Sequence, residues 1–275
     1  MIYLGSKFGF CDGVINAINT VDEASKENKP IVLLKPLMHN DKENQKLQEK
    51  YNFSNDIKSI TKESILIYPA HGHTRDEIRT DIETRDAICP MLKARYTVIE
   101  NNKTLLWFYI GERNHQETQS FLSTFPFLNF IDTTSTKIDL SLDSEYGLIF
   151  QSTVNKDLYI DYLNTFKKIR SPKIVFGPCN RYIERLDEAI EFLKKIDYKH
   201  TFVYVLGSKT SSNCKAMEKT IKYKFAGIKT KRVNAIEDID PDEAKDCYDI
   251  YLLSSTSISK DSVLEIKGYL EALRN

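Results

Sequence analysis

The chain has 275 residues, of which 41% are hydrophobic, and its 39 lysines and arginines balance 39 aspartates and glutamates. This composition is sufficient for a packed core, and the zero net charge gives no reason to expect nucleic acid or a membrane surface as a partner. No apolar run approaches the roughly 20 residues of a membrane span and the N-terminus lacks the pattern of a signal peptide, so we expect a cytoplasmic protein.

A cysteine marks the start of the first predicted helix. In FGFCDGVINAI, Cys11 precedes Val14, Ala17, Ile18 and Val21, which recur at helical spacing. Such a thiol is either a small buried hydrophobe or a group that the helix start presents to a ligand, because helix N-termini favour thiolates and anions. The local sequence leaves both interpretations open.

Short apolar segments alternate with amphipathic segments along the chain. The predicted strands are KPIVLLKP, SILIYPA, TLLWFYIGE, YGLIF, KIVFG, FVYVLG and YDIYLL. Predicted helices follow most of them, namely DLYIDYLNTFKKI, YIERLDEAIEFLKKI, CKAMEKTIKYKFAG and DSVLEIKGYLEAL. This alternation predicts parallel α/β sheets, and the continuously apolar strands are typical of sheets covered on both faces. The charged stretch KENQKLQEKYNFSND is interpreted as solvated surface.

A cluster of polar residues follows each predicted strand. These clusters are LMHN, HGH, RNHQE, QSTVN, PCNR, SKTSSN and SSTSIS. In open α/β sheets, ligands bind at the carboxyl ends of the strands, where these clusters lie. Serine, threonine and asparagine also cap helices at such junctions, so one cluster alone is weak evidence. Seven clusters, three of which contain histidine, predict a ligand site.

The turn GSKTSSNC has the composition of an anion site. It lies between a predicted strand and a helix, and Ser211, Ser212 and Asn213 can donate hydrogen bonds there. It matches neither GxxxxGK[ST] nor GxGxxG, so nucleotide binding has no support. SSTSIS repeats the arrangement in the last unit. Together with His39 and His71, these turns predict a small phosphorylated ligand.

Two motifs suggest acid–base and metal chemistry. His115 and Glu117 lie two residues apart, and a carboxyl in apolar surroundings can hold a proton and act as a general acid; the alternative is an exposed surface pair. Cys11, Cys89 and Cys179 each follow an apolar stretch and have Gly or Pro beside them. Three converging thiolates can hold an iron–sulfur cube and leave one iron open, although spacing alone cannot show convergence. We expect Cys214 and Cys247 to be structural.

Taken together, these motifs resemble the LytB or IspH family of 4-hydroxy-3-methylbut-2-enyl diphosphate reductases, nearly end to end. GFCDGVINAI is similar to the family's GFCxGVxRAI, LMHN to its HN motif, PAHGH to SAHG and AICP to ATCP. IGERNHQET is similar to GHxGHPE, QSTVN to QTTxS, GSKTSSN to GSxNSSN and SSTSIS to its last serine turn. So many motifs in one order are far more specific than any single match.

The resemblance implies an α/β fold, a three-lobed trefoil of small parallel-sheet domains around a central site. We assign the lobes to residues 1–90, 91–172 and 173–275. It also implies a central [4Fe–4S] cluster whose open iron binds the substrate hydroxyl. The cysteine motifs place its ligands at Cys11, Cys89 and Cys179.

The resemblance further assigns roles to the polar motifs. Glu117 would deliver protons, and Ser152 stands where the family has threonine. Ser259 is an alternative to Ser257, because the last serine turn is one residue longer here. The implied ligands of the diphosphate are His39, His71, His115, Ser211, Ser212, Asn213 and Ser257.

Three departures from the family pattern are visible. Val175 occupies the usual position of the third cysteine ligand, and the thiol stands four residues later, at Cys179. Glu112 replaces the first histidine of GHxGHPE, and Gln116 replaces its proline. QST replaces QTT. Either a tight turn brings Cys179 to the same iron, or the cluster is lost or held by two thiolates and another ligand.

The resemblance therefore implies a reductive dehydroxylation that yields isopentenyl and dimethylallyl diphosphates. Because no dinucleotide motif is present, the electrons would come from ferredoxin or flavodoxin. One alternative is a divergent paralogue on the same scaffold with another phosphorylated substrate. A second is a non-enzymatic binder or cluster-bearing sensor.

Overall fold

The computed structural model describes residues 1–134 and 143–274, in which strands alternate with helices. The strands are β1 Ile2–Leu4, β2 Ile31–Leu34, β3 Asn52–Ser54, β4 Ile65–Tyr68, β5 Glu83–Asp86, β6 Leu106–Gly111, β7 Asn129–Asp132, β8 Tyr146–Phe150, β9 Ile174–Phe176, β10 Thr201–Leu206, β11 Lys229–Val233 and β12 Asp249–Ser254. The helices are α1 Asp12–Ala24, α2 Asp41–Gln48, α3 Pro90–Asn101, α4 Gln116–Thr124, α5 Lys156–Ile169, α6 Asn180–Leu193, α7 Ser212–Lys224, α8 Pro241–Lys245 and α9 Lys260–Arg274. None of the described helices is long and apolar enough to cross a membrane.

The strands form three parallel sheets of four strands each. Their orders are β3-β2-β4-β5, β7-β6-β8-β9 and β11-β10-β12-β1. In the first two sheets, the first strand in chain order lies between the second and the third, and the fourth is at an edge. The last sheet has the same arrangement when β10, β11 and β12 are counted as its first three strands and β1 as its fourth. The fourth strand of the last sheet is β1, from the start of the chain, which pairs with β12 with Tyr3 opposite Tyr251. The prediction of small parallel α/β sheets is confirmed.

The seven predicted strands are all present, as β2, β4, β6, β8, β9, β10 and β12. Six of them are the central strands of the three sheets, and they are buried along almost their whole length. Their sequences are apolar without interruption because helices cover both faces of such sheets. The strands that sequence analysis missed lie at the sheet edges and are partly exposed, namely β1, β3, β5, β7 and β11.

The chain divides into two compact units. Unit 1 contains residues 1–14 and 38–49 and the chain from Cys179 onward, and it holds the sheet of β10 and β12. Unit 2 contains residues 15–37 and 50–178, and it holds the other two sheets. The lobe boundaries assigned from the sequence remain predictions.

Helix α6 shows how the core of unit 1 positions a candidate ligand. Leu186, Ile190 and Leu193 recur at helical spacing and are buried. They belong to one apolar cluster with Val203 of β10, and Cys179 packs against the same cluster. The residue before α6 is therefore held by the core of the unit.

The interpretation of KENQKLQEKYNFSND as solvated surface holds for most of the stretch but is wrong for Glu43 and Asn44 of helix α2, which are buried. Glu43 is only 6% exposed, and its carboxylate accepts hydrogen bonds from the Ser259 N–H at 3.2 Å and the Ser262 hydroxyl at 3.1 Å. Burial disfavours its ionised form, but the hydrogen bonds from Ser259 and Lys46 outweigh this and lower the pKa of Glu43. The partners that allow this burial lie more than 200 residues away in the sequence, as the separations of 216 and 219 show.

Candidate functional site

In unit 2, groups from three parts of the chain enclose the Glu117 carboxyl. Glu117 lies in the first turn of α4 and is fully buried. Its Oε1 accepts hydrogen bonds from the Ser152 N–H at 2.9 Å and the Tyr109 hydroxyl at 3.4 Å, and its Oε2 accepts one from the Ser152 hydroxyl at 2.5 Å. The structure thus brings together the two predicted residues Glu117 and Ser152. It adds Tyr109 of β6, which sequence analysis missed.

Burial raises the pKa of the Glu117 carboxyl, because the ionised form loses its hydration. The charge of Arg95 and the hydrogen bonds from Ser152 and Tyr109 act in the opposite direction but do not outweigh burial. A carboxyl in this environment keeps its proton to a higher pH than an exposed glutamate does. The alternative of an exposed surface pair is therefore wrong for Glu117.

His115 is the N-cap residue of α4, and its imidazole faces the same turn. The Nδ1 atom accepts a hydrogen bond from the Glu117 N–H at 3.2 Å, so the proton of the neutral ring is on Nε2. Burial lowers the pKa of His115, although the negative charge of Glu112 opposes this. Around neutral pH, His115 therefore presents an uncharged Nε2–H donor.

The PAHGH loop after β4 is held against α4. Gly72 has a φ of +84°, and a Cβ atom at this position would collide with the Ser120 side chain. The Ser120 hydroxyl donates to the His73 carbonyl at 2.9 Å. Gln116, at the proline position of the family motif, donates to the Gly72 carbonyl at 3.5 Å. These contacts fix the loop that carries His71 near the start of α4.

In unit 1, hydrogen bonds join three of the predicted motifs. Ser212 and Asn213 are the first two residues of α7, and the Asn213 side-chain amide donates to the Thr256 hydroxyl at 2.9 Å. This bond connects GSKTSSN with SSTSIS. The Ser257 hydroxyl donates to the His39 carbonyl at 3.1 Å, which connects SSTSIS with LMHN. The structure thus brings the phosphate motifs of unit 1 into one cluster.

Two serines of these motifs act as helix caps. The Ser211 hydroxyl oxygen accepts a hydrogen bond from the Cys214 N–H at 3.4 Å and caps α7. The Ser259 hydroxyl oxygen accepts one from the Ser262 N–H at 3.2 Å, at the start of α9. Both candidate serines of the last turn are hydrogen-bonded, Ser257 to the His39 carbonyl and Ser259 within this cap, so the choice between them stays a prediction.

Arg185 of α6 is a buried cation that sequence analysis missed. Its guanidinium donates to the Gly9 carbonyl at 2.9 Å and to the Ser255 carbonyl, so it joins the loop before Cys11 to the turn after β12. Burial lowers the pKa of Arg185, and the thiols of Cys11 and Cys179 both act in the opposite direction. The structure therefore brings these two cysteines close to the same cation.

Each candidate ligand cysteine directly precedes a helix. Cys11 comes before α1, whereas Cys89 and Cys179 are the N-cap residues of α3 and α6, with similar φ/ψ values of −53°/129° and −66°/122°. Each helix follows the fourth strand of a sheet, and β5 ends at Asp86 and β9 at Phe176, three residues before their cysteines. The displaced third thiol therefore has the same local position as the second.

The donor chemistry of these cysteines fits an iron–sulfur cluster. Cys11, Cys89 and Cys179 are half-buried, whereas Cys214 and Cys247 are buried, which suits structural positions. Helix N-termini stabilise thiolates, which are the ligands of such clusters. Cys11 and Cys179 belong to unit 1 and Cys89 to unit 2. Within residues 1–134 and 143–274, no group of three or more His, Cys, Asp or Glu side chains is placed to hold a metal ion, so the ligand set remains a prediction.

Comparison with known families decides the classification. A family model described as LytB protein matches residues 2–271. The chain belongs to the LytB family. The resemblance inferred from the motifs is confirmed.

Relatives of this LytB-family chain are named 4-hydroxy-3-methylbut-2-enyl diphosphate reductase. The chain is 28% identical to the one from Dictyoglomus turgidum over 292 residues, which cover 99% of this chain and 96% of the relative. It is 26% identical to the one from Clostridioides difficile over 285 residues, with 99% of each covered. It is 29% identical to the apicoplast enzyme of Plasmodium falciparum over 297 residues, with 100% of this chain and 52% of the relative covered.

Two solved structures share the fold of the LytB chain. The E-1-hydroxy-2-methyl-but-2-enyl-4-diphosphate reductase from Plasmodium falciparum has a TM-score of 0.84 at 23% identity, and the match covers 100% of this chain and 88% of that one. A second structure, of (E)-4-hydroxy-3-methyl-but-2-enyl diphosphate reductase, has a TM-score of 0.67 at 18% identity, with 98% and 99% covered. At these identities the matches show a common fold.

Proposed function

We propose that this protein is a reductase that converts 4-hydroxy-3-methylbut-2-enyl diphosphate into isopentenyl and dimethylallyl diphosphates. The reaction consumes two electrons and two protons, breaks the bond between carbon and the hydroxyl oxygen, and releases water. The buried Glu117 carboxyl, held by Ser152 beside His115, is the observation that carries the proposal. Burial raises the pKa of this carboxyl, which stands at the place in the chain where the family motif requires an acid.

A [4Fe–4S] cluster bound by Cys11, Cys89 and Cys179 is part of the proposal. When bound, such a cluster supplies electrons and a Lewis-acidic iron for the substrate hydroxyl. The position of Cys179 supports its assignment, because it caps α6 with the backbone geometry that Cys89 has at α3.

The protein's own side chains would bind the diphosphate and deliver the protons. The neutral His115 imidazole offers Nε2–H as a donor to a phosphate oxygen, and the Asn213 amide and the hydroxyls near it offer further donors. The Glu117 carboxyl gives its proton to the substrate and is left as a carboxylate that keeps its hydrogen bonds from Ser152. The proposed diphosphate ligands are His39, His71, His115, Ser211, Ser212, Asn213 and Ser257.

Ferredoxin or flavodoxin remains the proposed electron donor, and the cytoplasm the proposed location. Both depend on the family resemblance.

A test of the ligand set compares single cysteine variants after anaerobic reconstitution. We expect about four irons per chain and a brown protein for the wild type. Cys11→Ser, Cys89→Ser and Cys179→Ser should each lose most of the iron, because each removes one ligand. Cys214→Ser and Cys247→Ser are the controls and should keep it. Retention of iron by Cys179→Ser would contradict the ligand assignment.

Turnover of 4-hydroxy-3-methylbut-2-enyl diphosphate by the reconstituted protein, with dithionite as the electron source, tests the reaction itself. We expect both five-carbon diphosphates as products. A colourless, iron-free protein after reconstitution would instead leave a non-enzymatic binder.

One observation favours a second candidate, a paralogue that acts on another phosphorylated substrate. Glu112 stands where the family has a histidine, and its negative charge acts on His115. A carboxylate so close to a proposed diphosphate ligand repels an anion. An intact cluster without turnover of the hydroxybutenyl diphosphate would support this candidate over the first.

A further inference from the structure

Arg95 of α3 is a buried cation that is fixed by backbone carbonyls. The residue is 4% exposed. Its Nη1 donates to the Phe150 carbonyl at 2.9 Å and its Nη2 to the Gly177 carbonyl at 2.5 Å. These acceptors lie at the end of β8 and just after β9. The guanidinium therefore has a defined place and direction before any charged partner is considered.

The Glu117 carboxyl lies next to this cation. Arg95 Nη1 is 4.0 Å from Glu117 Oε1, and both side chains are almost fully buried, at 5% and 1% exposure. This distance is too long for a hydrogen bond, and the donors of Arg95 already serve the two carbonyls. The two groups therefore interact through their charges across a region without solvent, where screening is weak.

Five groups act on the Glu117 site from the elements around it, and one of them is Tyr96 of α3, a phenol that stays neutral because burial raises its pKa to about 12. Arg95 approaches from α3, Tyr109 from β6 and Ser152 from the segment after β8. His115 accepts a hydrogen bond from the Glu117 N–H within the same turn. Burial raises the pKa of the Tyr109 phenol well above its ordinary value, so Tyr109 stays a neutral donor. Because burial and the bond to the Glu117 N–H keep His115 neutral, Arg95 is the charged member of this group.

We propose that Arg95 is a positioning residue for proton delivery, which faces Glu117 through space and stabilises the carboxylate that remains after the proton has left. The inference rests on the proposed role of Glu117 as the acid. Without a fixed cation, a carboxyl buried this deeply would hold its proton too firmly to give it up quickly. With the cation, the carboxyl keeps a raised pKa and its ionised form still faces a fixed positive charge.

The substitutions Arg95→Lys and Arg95→Gln separate the charge from the structural role. Both substitutions remove the guanidinium group that bridges the Phe150 and Gly177 carbonyls, but only Arg95→Gln also removes the positive charge. A matched control is Arg79→Gln. Arg79 also donates to two backbone carbonyls in unit 2, those of Ile57 and Ile60, and has no contact with Glu117 among its described bonds.

The first readout is the infrared band of the protonated Glu117 carboxyl, identified by its disappearance in Glu117→Gln and followed against pH in the full-length reconstituted protein. In Arg95→Gln we expect the ratio of protonated to ionised carboxyl at a given pH to rise about tenfold or more, so that the band persists to higher pH. Arg95→Lys and Arg79→Gln should titrate close to the wild type. An unchanged titration of the band in Arg95→Gln would overturn the proposal. An equal shift of the titration in Arg95→Lys and Arg95→Gln would also overturn it.

The second readout is turnover. We expect kcat of Arg95→Gln to fall about tenfold with KM unchanged, and the alkaline limb of its pH profile to move to higher pH, since a weaker acid stays protonated longer. The infrared titration does not depend on turnover. If no variant turns over the substrate but the band still shifts in Arg95→Gln alone, the proposed reaction fails and the coupling of Arg95 to Glu117 stands.

Discussion

At the scale of single residues, Glu117 shows how environment decides chemistry. Its pKa is raised because burial outweighs the charge of Arg95 and the hydrogen bonds from Ser152. The same side chain on a surface would be ionised at neutral pH and could not act as an acid there. Burial creates the difference, and the neighbouring groups only reduce it.

Replacement of Glu117 by Gln should abolish most turnover and leave the iron content unchanged. The glutamine side chain would keep the shape of the original but carry no transferable proton, so we expect kcat to fall by about 10²–10⁴-fold. Ser152→Thr, which restores the residue of the family motif, is the control and should stay active. Wild-type turnover in Glu117→Gln would exclude Glu117 as the acid.

The same substitution should change how stability depends on pH. A carboxyl whose pKa is raised in the folded state contributes to the stability of that state. The contribution is complete at pH values below the ordinary pKa of 4.5, and it disappears as the pH rises through the pKa of the folded state. Glu117→Gln lacks this dependence. We therefore expect the variant to gain stability relative to the wild type as the pH rises above 4.5, measured by urea unfolding. A difference that is constant with pH would contradict the raised pKa.

The candidate acid, His115 and Ser152 were predictable from the sequence, but Tyr109 and Arg95 beside the carboxyl were not. The spacing of His115 and Glu117 after a strand indicated acid–base chemistry. Arg95 and Arg185 gave no signal, because an arginine within a helical pattern is usually exposed. Their burial depends on carbonyls such as those of Gly177 and Ser255, which come 82 and 70 residues later in the chain.

At the scale of elements, the difference between predicted and missed strands has a physical cause. The central strands read as IVLL, ILIY or TFVYVL because both of their faces are covered. The edge strands β5 and β11 read as ETRD and KTKRV, since one edge and part of each face meet water. Such sequences are not distinguishable from loops by hydrophobic pattern. The same limit explains the misread Glu43 of α2, whose carboxylate is bonded by the distant Ser259 and Ser262 as well as by Lys46 of the same helix.

The turn at Gly72 offers a test of how an element fixes a site. Gly72 and Gly227 have nearly the same φ, +84° and +83°, but a Cβ at Gly72 would meet Ser120 whereas Gly227 has nothing within 4 Å. Gly227→Ala should therefore cost only the strain of the left-handed conformation, about 1–2 kcal/mol. Gly72→Ala should cost about 1–3 kcal/mol more, because the PAHGH loop must move away from α4.

Urea unfolding of both variants, followed by circular dichroism, measures these costs. Equal destabilisation by the two substitutions would show that the contact between Gly72 and Ser120 does not hold the loop.

At the scale of the whole chain, one strand order occurs three times. Each fourth strand, β5, β9 or β1, leads into a cysteine and then into a helix. The sequence predicted the parallel sheets, because the central strands are apolar. It did not reveal that the fourth strand of the last sheet comes from the other end of the chain, since β1 has only three residues and carries no pattern.

Detachment of β1 should therefore affect both the last sheet and the cysteine that follows. Leu4 packs against the apolar cluster of β10 and β12, so Leu4→Asp would place a charge there, whereas Leu4→Val would not. We expect faster hydrogen exchange at Ile250, whose N–H is bonded to the Met1 carbonyl at 2.9 Å, and less bound iron.

Amides of β6, in unit 2, serve as the internal reference and should keep their protection. If Ile250 exchanged as slowly in Leu4→Asp as in Leu4→Val, β1 would not be required for the order of the sheet.

The pairing of β1 with β12 also has a consequence for biosynthesis. A ribosome makes β1 long before β12, and at about 5–20 residues per second the interval between the two strands is tens of seconds. Throughout that interval the nascent N-terminal segment, with its thiol, has no partner strand. An inorganic centre that used this thiol would then be inserted only after β12 has been made.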